Sequence, residues 1–104
     1  MHVRCLIHFD GTDYQLGDGS TPGVAVARVG TGELRLTGPE PLPDFVDVFG
    51  AELVHIAPDR RSILVRRLGR RGVAAEDGDL SVEVVEAVFL PPDQVAYLAA
   101  SRRP

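Results

Sequence analysis

A run of arginines in the second half of the chain carries the clearest chemistry in the sequence. Between residues 60 and 71 there are six arginines and no acidic residue. They form three adjacent pairs: Arg60 and Arg61, Arg66 and Arg67, and Arg70 and Arg71. A guanidinium group binds phosphate or carboxylate oxygens through two parallel hydrogen bonds. On a hairpin, one arginine of each pair would lie on the solvent face, so the six side chains are candidates for binding an anion or a partner.

The same run has a second interpretation, as a solvated surface that pairs with acidic residues elsewhere in the chain. Residues 1–59 contain three arginines and nine acidic residues, a local charge of −6, whereas residues 60–104 carry +2. The whole chain has a formal charge of −4, and no aromatic residue lies within the run to stack on bases. Both features count against binding of single-stranded nucleic acid. The chain has neither lysine nor asparagine, which GC-rich coding explains without a chemical need for arginine.

Histidine and aspartate side chains near the first predicted strand are the next candidates. His8 and Asp10 are two residues apart, and His55 is the last of three histidines. A strand-end His-x-Asp pair can bind a metal, but two ligands do not make a site, and no cysteine and histidine cluster completes it. Cys5 falls on the apolar face of its strand, where His8 points away and cannot activate it. We therefore predict no catalytic residue, metal or cofactor, and keep a small enzyme with a pocket near His8, Asp10 and His55 as an alternative.

Alternating apolar and polar residues predict strands over much of the chain. Residues 2–9 alternate over eight positions, and residues 14–16 form a short return strand after a turn at Asp10. Residues 24–29 and 33–37 flank a Gly-Thr-Gly loop, a pattern typical of a β-hairpin. We expect these segments to be strands of one antiparallel sheet system.

Residues 44–57 allow two interpretations. Phe45, Val48 and Phe49 have helical spacing, and Leu53 and Ile56 would continue that helix. Alternation from residue 52 to 57 instead indicates a strand, followed by a turn at residues 58–61 and a partner strand. We prefer a short helical turn at 44–49, ended by a glycine, and then a hairpin over residues 52–68.

The last third of the chain predicts a long strand and a terminal helix. Residues 80–90 are rich in β-branched side chains, and the change of apolar parity at Val84 and Val85 predicts a bulge. Two prolines end that strand, and Val95, Leu98 and Ala99 give a short helix an apolar face that should dock on the sheet. Residues 101–104 should fray.

The order of these elements predicts an α+β fold. We expect a β-rich roll or small partly open barrel of about five to seven mostly antiparallel strands, with a short C-terminal helix. The length fits one domain spanning residues 1–104. One cysteine, no signal-peptide pattern and no long apolar run lead us to expect a cytoplasmic protein without a membrane segment.

Function is less constrained than fold. We expect a small non-catalytic module that engages a protein partner, or a second copy of itself, through a sheet edge or the arginine-rich hairpin. The first alternative is binding of nucleic acid or another polyanion by the arginines of residues 60–71. The second is the small enzyme described above. No motif in the sequence identifies a family.

Overall fold

The protein is built from strands joined by turns, in a computed structural model that describes residues 1–69 and 75–87. Within these residues there are eight strands: β1 (His2–Phe9), β2 (Tyr14–Leu16), β3 (Ala25–Gly30), β4 (Glu33–Thr37), β5 (Val46–Phe49), β6 (Ala51–Ile56), β7 (Ser62–Arg67) and β8 (Leu80–Glu86). They form two antiparallel sheets of four strands, with the order β2-β1-β8-β5 in the first sheet and β3-β4-β7-β6 in the second. The predicted β-rich, antiparallel character is confirmed, although there are more strands than predicted and the sheets do not close into a barrel.

Alternating side chains place one face of each sheet on a shared hydrophobic core. In the first sheet Cys5 lies opposite Val82, and in the second Leu34 lies opposite Val65. All four side chains are fully buried. Burial of one such aliphatic side chain contributes about 1.5–3 kcal/mol. The core residues thus hold the two sheets together, and their outward neighbours on each strand are left to form the surface.

The first and last of these strands are neighbours in the middle of the first sheet. Residues 2–7 of β1 pair with residues 80–85 of β8. Beyond the paired residues, the backbone N–H of Glu86 donates to the carbonyl of Met1 at 3.1 Å. The second sheet is different, because all of its strands come from residues 25–67.

A glycine carries the chain from the first sheet into the second. Gly50 lies between β5 and β6 with a φ of 88°, in the left-handed region. A Cβ atom at this position would collide with the carbonyl oxygen of Ser81 on β8. Glycine is therefore required twice over, by its backbone conformation and by the close approach of two strands.

The turn between β6 and β7 is the one expected from its proline. The N–H of Arg60 donates to the carbonyl of Ala57 at 2.8 Å, which makes Pro58 and Asp59 the central residues. Arg60 then adopts a φ of 59°, a left-handed conformation that is rare for a residue with a side chain. The predicted hairpin over residues 52–68 is confirmed, as are β1, β2 and the β3–β4 hairpin.

Two local predictions were wrong. Residues 46–49 form strand β5 rather than a helical turn, because Val46 and Val48 also alternate and pack against the core beside β8. The bulge predicted at residues 84–85 is missing, since β8 pairs in unbroken register with both neighbours. Val85 simply faces outward opposite Asp47, so the change of apolar parity marks a half-exposed valine. Register shifts occur instead at Val29 in β3 and at Val54 in β6.

Some predictions lie outside the described residues. These are the C-terminal helix, the fraying of residues 101–104, and the last three residues of the strand predicted over residues 80–90. In the part of the chain that the structure describes, no helix is long and apolar enough to cross a membrane.

Candidate binding surfaces

Arg60 is bonded to the chain itself. Its guanidinium group donates to the carbonyls of Leu42 and Pro43, and its own carbonyl accepts the N–H of Leu42 at 2.7 Å. The left-handed backbone of Arg60 directs this side chain toward the proline-rich segment of residues 38–43. We call that segment the proline strap. Arg60 therefore fixes the strap to the β6–β7 turn through its Nε and Nη2 atoms.

Arg66 and Arg67 are also engaged within the chain. Arg66 faces outward from β7, donates to the carboxylate of Glu33 at 3.0 Å and lies 3.8 Å from the carboxylate of Glu52. Arg67 has the opposite parity and reaches around the end of the sheet, where it donates to the carbonyls of Glu76 at 2.8 Å and Asp79 at 3.2 Å. The second arginine pair thus stabilises strand pairing and the segment that leads into β8.

Arg61 differs from these three residues. Its side chain is exposed and makes no hydrogen bond or ion pair to any described residue. Arg61 and Arg66 are five positions apart in the sequence, a distance of roughly 16 Å at about 3.3 Å per strand residue. The two described pairs therefore lie at opposite ends of β7 and do not form one continuous basic surface. Arg70 and Arg71 lie outside the described residues.

The histidines and aspartates of the enzymatic alternative do not meet. His8 faces outward from the first sheet, where its Nδ1 lies 2.9 Å from Oδ1 of Asp79. Asp10 accepts the backbone N–H groups of Thr12 and Asp13, both at 2.8 Å, which lower its pKa and make it a turn residue. His55 faces outward from the second sheet. Because the outer faces of the two sheets point in opposite directions, the fold separates His55 from His8.

No metal centre is present in residues 1–69 and 75–87, where no group of three histidine, cysteine or acidic side chains comes together. Cys5 is fully buried, and burial raises the pKa of its thiol to about 11. A thiol in this state is protonated at neutral pH and is a poor nucleophile. Cys5 is therefore a member of the hydrophobic core.

A polar cluster that the sequence did not reveal closes one end of the sandwich. Asp77 accepts hydrogen bonds from the Tyr14 hydroxyl at 2.7 Å, the Gly32 N–H at 2.9 Å, and Nη2 of Arg28 at 2.9 Å. We call these four residues the Asp77 clasp. They come from β2, the β3–β4 hairpin and the segment before β8, so no spacing in the sequence could have indicated their contact.

The electrostatics of the Asp77 clasp follow from its geometry. The Arg28 guanidinium, then the Gly32 N–H and the Tyr14 hydroxyl, hold the pKa of Asp77 well below its usual range. Burial raises the pKa of Tyr14, and the hydrogen bond to Asp77 raises it further. The Asp77 side chain is only 15 % exposed. All polar groups here are satisfied by one another, which indicates a structural role.

An exposed apolar surface surrounds the Gly50 corner. Large hydrophobic side chains are 57 % exposed at Phe49, 36 % at Leu53, 41 % at Val54 and 61 % at Leu68. Leu68 lies beside the corner because the preceding residue, Arg67, pairs with Ala51, which directly follows Gly50. We call Phe49, Leu53, Val54 and Leu68 the corner surface. β5 and β6 are edge strands of their sheets, so no further strand covers this side of either sheet among the described residues.

The end of the sandwich away from the Asp77 clasp holds a small cleft between the sheets. Its interior volume is about 20 Å³. Among the described residues its lining is almost entirely apolar, and Arg61 is the one charged residue in it. The other lining residues are Val3, Cys5, Val24, Leu36, Thr37, Gly38, Leu42, Ile63 and Val84. We call this the inter-sheet cleft. Leu42 places the proline strap along one wall.

Comparisons with known proteins give no relative from which a role could be transferred. No protein-family model, no curated protein and no solved structure matches this chain. The functional argument therefore rests on the surfaces described above.

Proposed function

We propose that this protein is a non-catalytic interaction module that binds a separate protein through the corner surface. The observation that carries the proposal is the exposure of four large hydrophobic side chains around Gly50. The centres of protein interfaces are enriched in aromatic and aliphatic side chains and depleted of charge. Large hydrophobic side chains that stay exposed close together along the chain are candidates for a binding site.

The edge strands themselves favour docking by side chains over addition of a strand. Both edges of the second sheet are interrupted, β3 at Val29 and β6 at Val54. Bulges twist an edge away from regular pairing and protect it from edge-to-edge association. At Val54 the extra residue also brings an apolar side chain to the surface. We therefore expect a partner whose own side chains pack on the corner surface.

A charge beside the corner surface indicates the chemistry of the partner. Asp47 is exposed on β5, on the same face as Phe49, and its carboxylate makes no ion pair with any described residue. A complementary partner presents an apolar centre with basic side chains at its rim. The bonds that Arg60, Arg66 and Arg67 make within the chain support this surface over the arginine-rich hairpin as the docking site.

Site-specific photo-crosslinking in the cells that produce the protein tests the proposal. A photoreactive amino acid at Val54 should yield a discrete adduct with one other protein. The matched control is Val29, which has a similar exposure of 45 % on the opposite edge of the same sheet. The Phe49→Ser substitution should abolish the adduct formed from position 54.

Three outcomes would contradict the proposal. They are equal adducts from positions 54 and 29, an adduct between two copies of this chain, and no adduct from position 54.

A further inference from the structure

We propose that the inter-sheet cleft binds a short aliphatic carboxylate, with its hydrocarbon end between the sheets and its carboxylate on Arg61. The proposal is independent of the corner surface. It depends on three properties of the cleft: apolar walls, a small interior volume, and one arginine in its lining whose side chain makes no bond to any described residue.

The walls of the cleft favour a hydrocarbon group. Val3 and Val84 come from the first sheet, Leu36 and Ile63 from the second, and Leu42 from the proline strap. An interior volume of about 20 Å³ is little more than the space of one water-sized sphere. Water inside the cleft would find few polar partners. Apolar cavities of this kind stay dry for that reason and take apolar groups instead. The cleft therefore suits a short alkyl chain and has no room for a long one.

The charge among its lining residues favours a carboxylate. Arg61 is exposed and makes no side-chain bond to any described residue, whereas Arg28, Arg60, Arg66 and Arg67 all bond within the chain. A free guanidinium group beside an apolar cleft can bind a carboxylate through two hydrogen bonds while the alkyl group is buried.

The proline strap keeps this arrangement in place. The N–H of Gly38 donates to the carbonyl of Arg61 at 3.2 Å, and Nε of Arg60 donates to the carbonyl of Leu42 at 3.1 Å. Pro39 and Pro41 restrict the backbone of the strap between these two attachment points. The two arginines of this pair thus have different roles: Arg60 holds the wall that carries Leu42, and Arg61 is left to meet the ligand. A wall fixed before binding lowers the entropic cost of binding.

Methyl and amide NMR shifts of the full chain, titrated with sodium butyrate, test the proposal. Saturable shifts are expected at the methyl groups of Val3, Val24, Leu42 and Val84. Butanol and butylammonium, which have the same number of carbon atoms as butyrate, should bind at least about tenfold more weakly because they lack the charge-assisted bond to Arg61. Octanoate should bind no more tightly than butyrate, because the cleft is short.

Two matched arginine variants complete the experiment. Arg61→Gln should weaken butyrate binding by about tenfold. Arg35→Gln should leave it unchanged, because Arg35 is an equally exposed arginine on the outer face of β4. Both variants should retain the thermal midpoint of the parent.

Equal binding of butyrate by the two variants would overturn the proposal. So would equal affinity for butanol and butyrate, or an absence of shifts at the cleft methyl groups.

Discussion

The Asp77 clasp offers the strongest test of how this fold is held together. We expect Asp77→Asn to destabilise the protein by about 2 kcal/mol, because the substitution removes a charged acceptor and turns an amide N–H toward donors. The change conserves shape, so the loss reports on hydrogen bonding and charge rather than on packing. A domain of this length has a total stability of roughly 5–15 kcal/mol, so the effect should be plain.

The magnitude can be divided among the donors. Tyr14→Phe removes the 2.7 Å hydroxyl bond to Asp77 and the longer 3.4 Å bond from the Gly78 N–H, and should cost about 1 kcal/mol. If Tyr14 and Asp77 act on each other, the double variant should lose less than the sum of the single variants. The control is Asp18→Asn, which makes the same charge change at an exposed aspartate without a bond to any described residue.

Urea unfolding followed by far-ultraviolet circular dichroism measures these differences. The experiment should be repeated at acidic pH. The folded-state pKa of Asp77 is lowered, so its stabilising effect is present above the unfolded pKa of about 4 and is lost as the pH falls through the folded value. The gap in stability between the parent and Asp77→Asn should therefore narrow as the solution is acidified below about pH 4. A loss no greater than that of Asp18→Asn at neutral pH, or a gap that widens in acid, would refute the reasoning.

The other expectations concern the corner, the tyrosine and the cysteine. Gly50→Ala should lower the free energy of unfolding in urea by at least about 3 kcal/mol, because the new Cβ atom both clashes with β8 and strains a left-handed backbone. Gly11→Ala is the control: Gly11 has a φ of 101° but open space around it, so the loss should be only about 1–2 kcal/mol. Equal losses of stability in the two variants would contradict the prediction, because they would show that the structure relieves the clash at residue 50. The raised pKa of Tyr14 means that its contribution is present below about pH 10 and is lost as the pH rises further. Tyr14→Phe should therefore lose less stability than the parent as the pH rises above about 10. An identical dependence of stability on pH in the two proteins would contradict this prediction. Cys5 should react with a thiol reagent only after unfolding in urea, and rapid reaction of the native protein would contradict its burial.

Local patterns in the sequence were sufficient for much of the strand content. Alternation predicted β1 and both hairpins because one face of each strand packs on the core and the other faces solvent. The same reasoning failed at residues 44–49, where the spacing of Phe45, Val48 and Phe49 suits a helix, while Val46 and Val48 also suit a strand. Pairing with β8 decides between the two, and that neighbour lies far away in the sequence.

The candidate sites were harder to predict, because each depends on contacts between distant residues. The arginine run looked continuous along the chain, but β7 separates its pairs, and Glu33, Leu42 and Asp79 supply partners that no local pattern reveals. Asp77 and Tyr14 were assigned no joint role, since 62 residues separate them. Gly50 was expected to end a helix, whereas it forms the corner around which the apolar residues are exposed.

The pairing of β1 with β8 has a consequence for the order in which the chain can fold. His2 and Val85 are partners although 83 residues separate them, whereas every strand of the second sheet comes from residues 25–67. Long-range pairings form slowly, because much of the chain must be ordered before they close. During synthesis the second sheet can pair first, and β1 has only β2 beside it until residues 80–86 leave the ribosome. Until then the edge of β1 that pairs with β8 is free to form non-native strand pairs, and its apolar side chains Cys5 and Ile7 are not yet fully packed. Pairing with β8 then completes the first sheet.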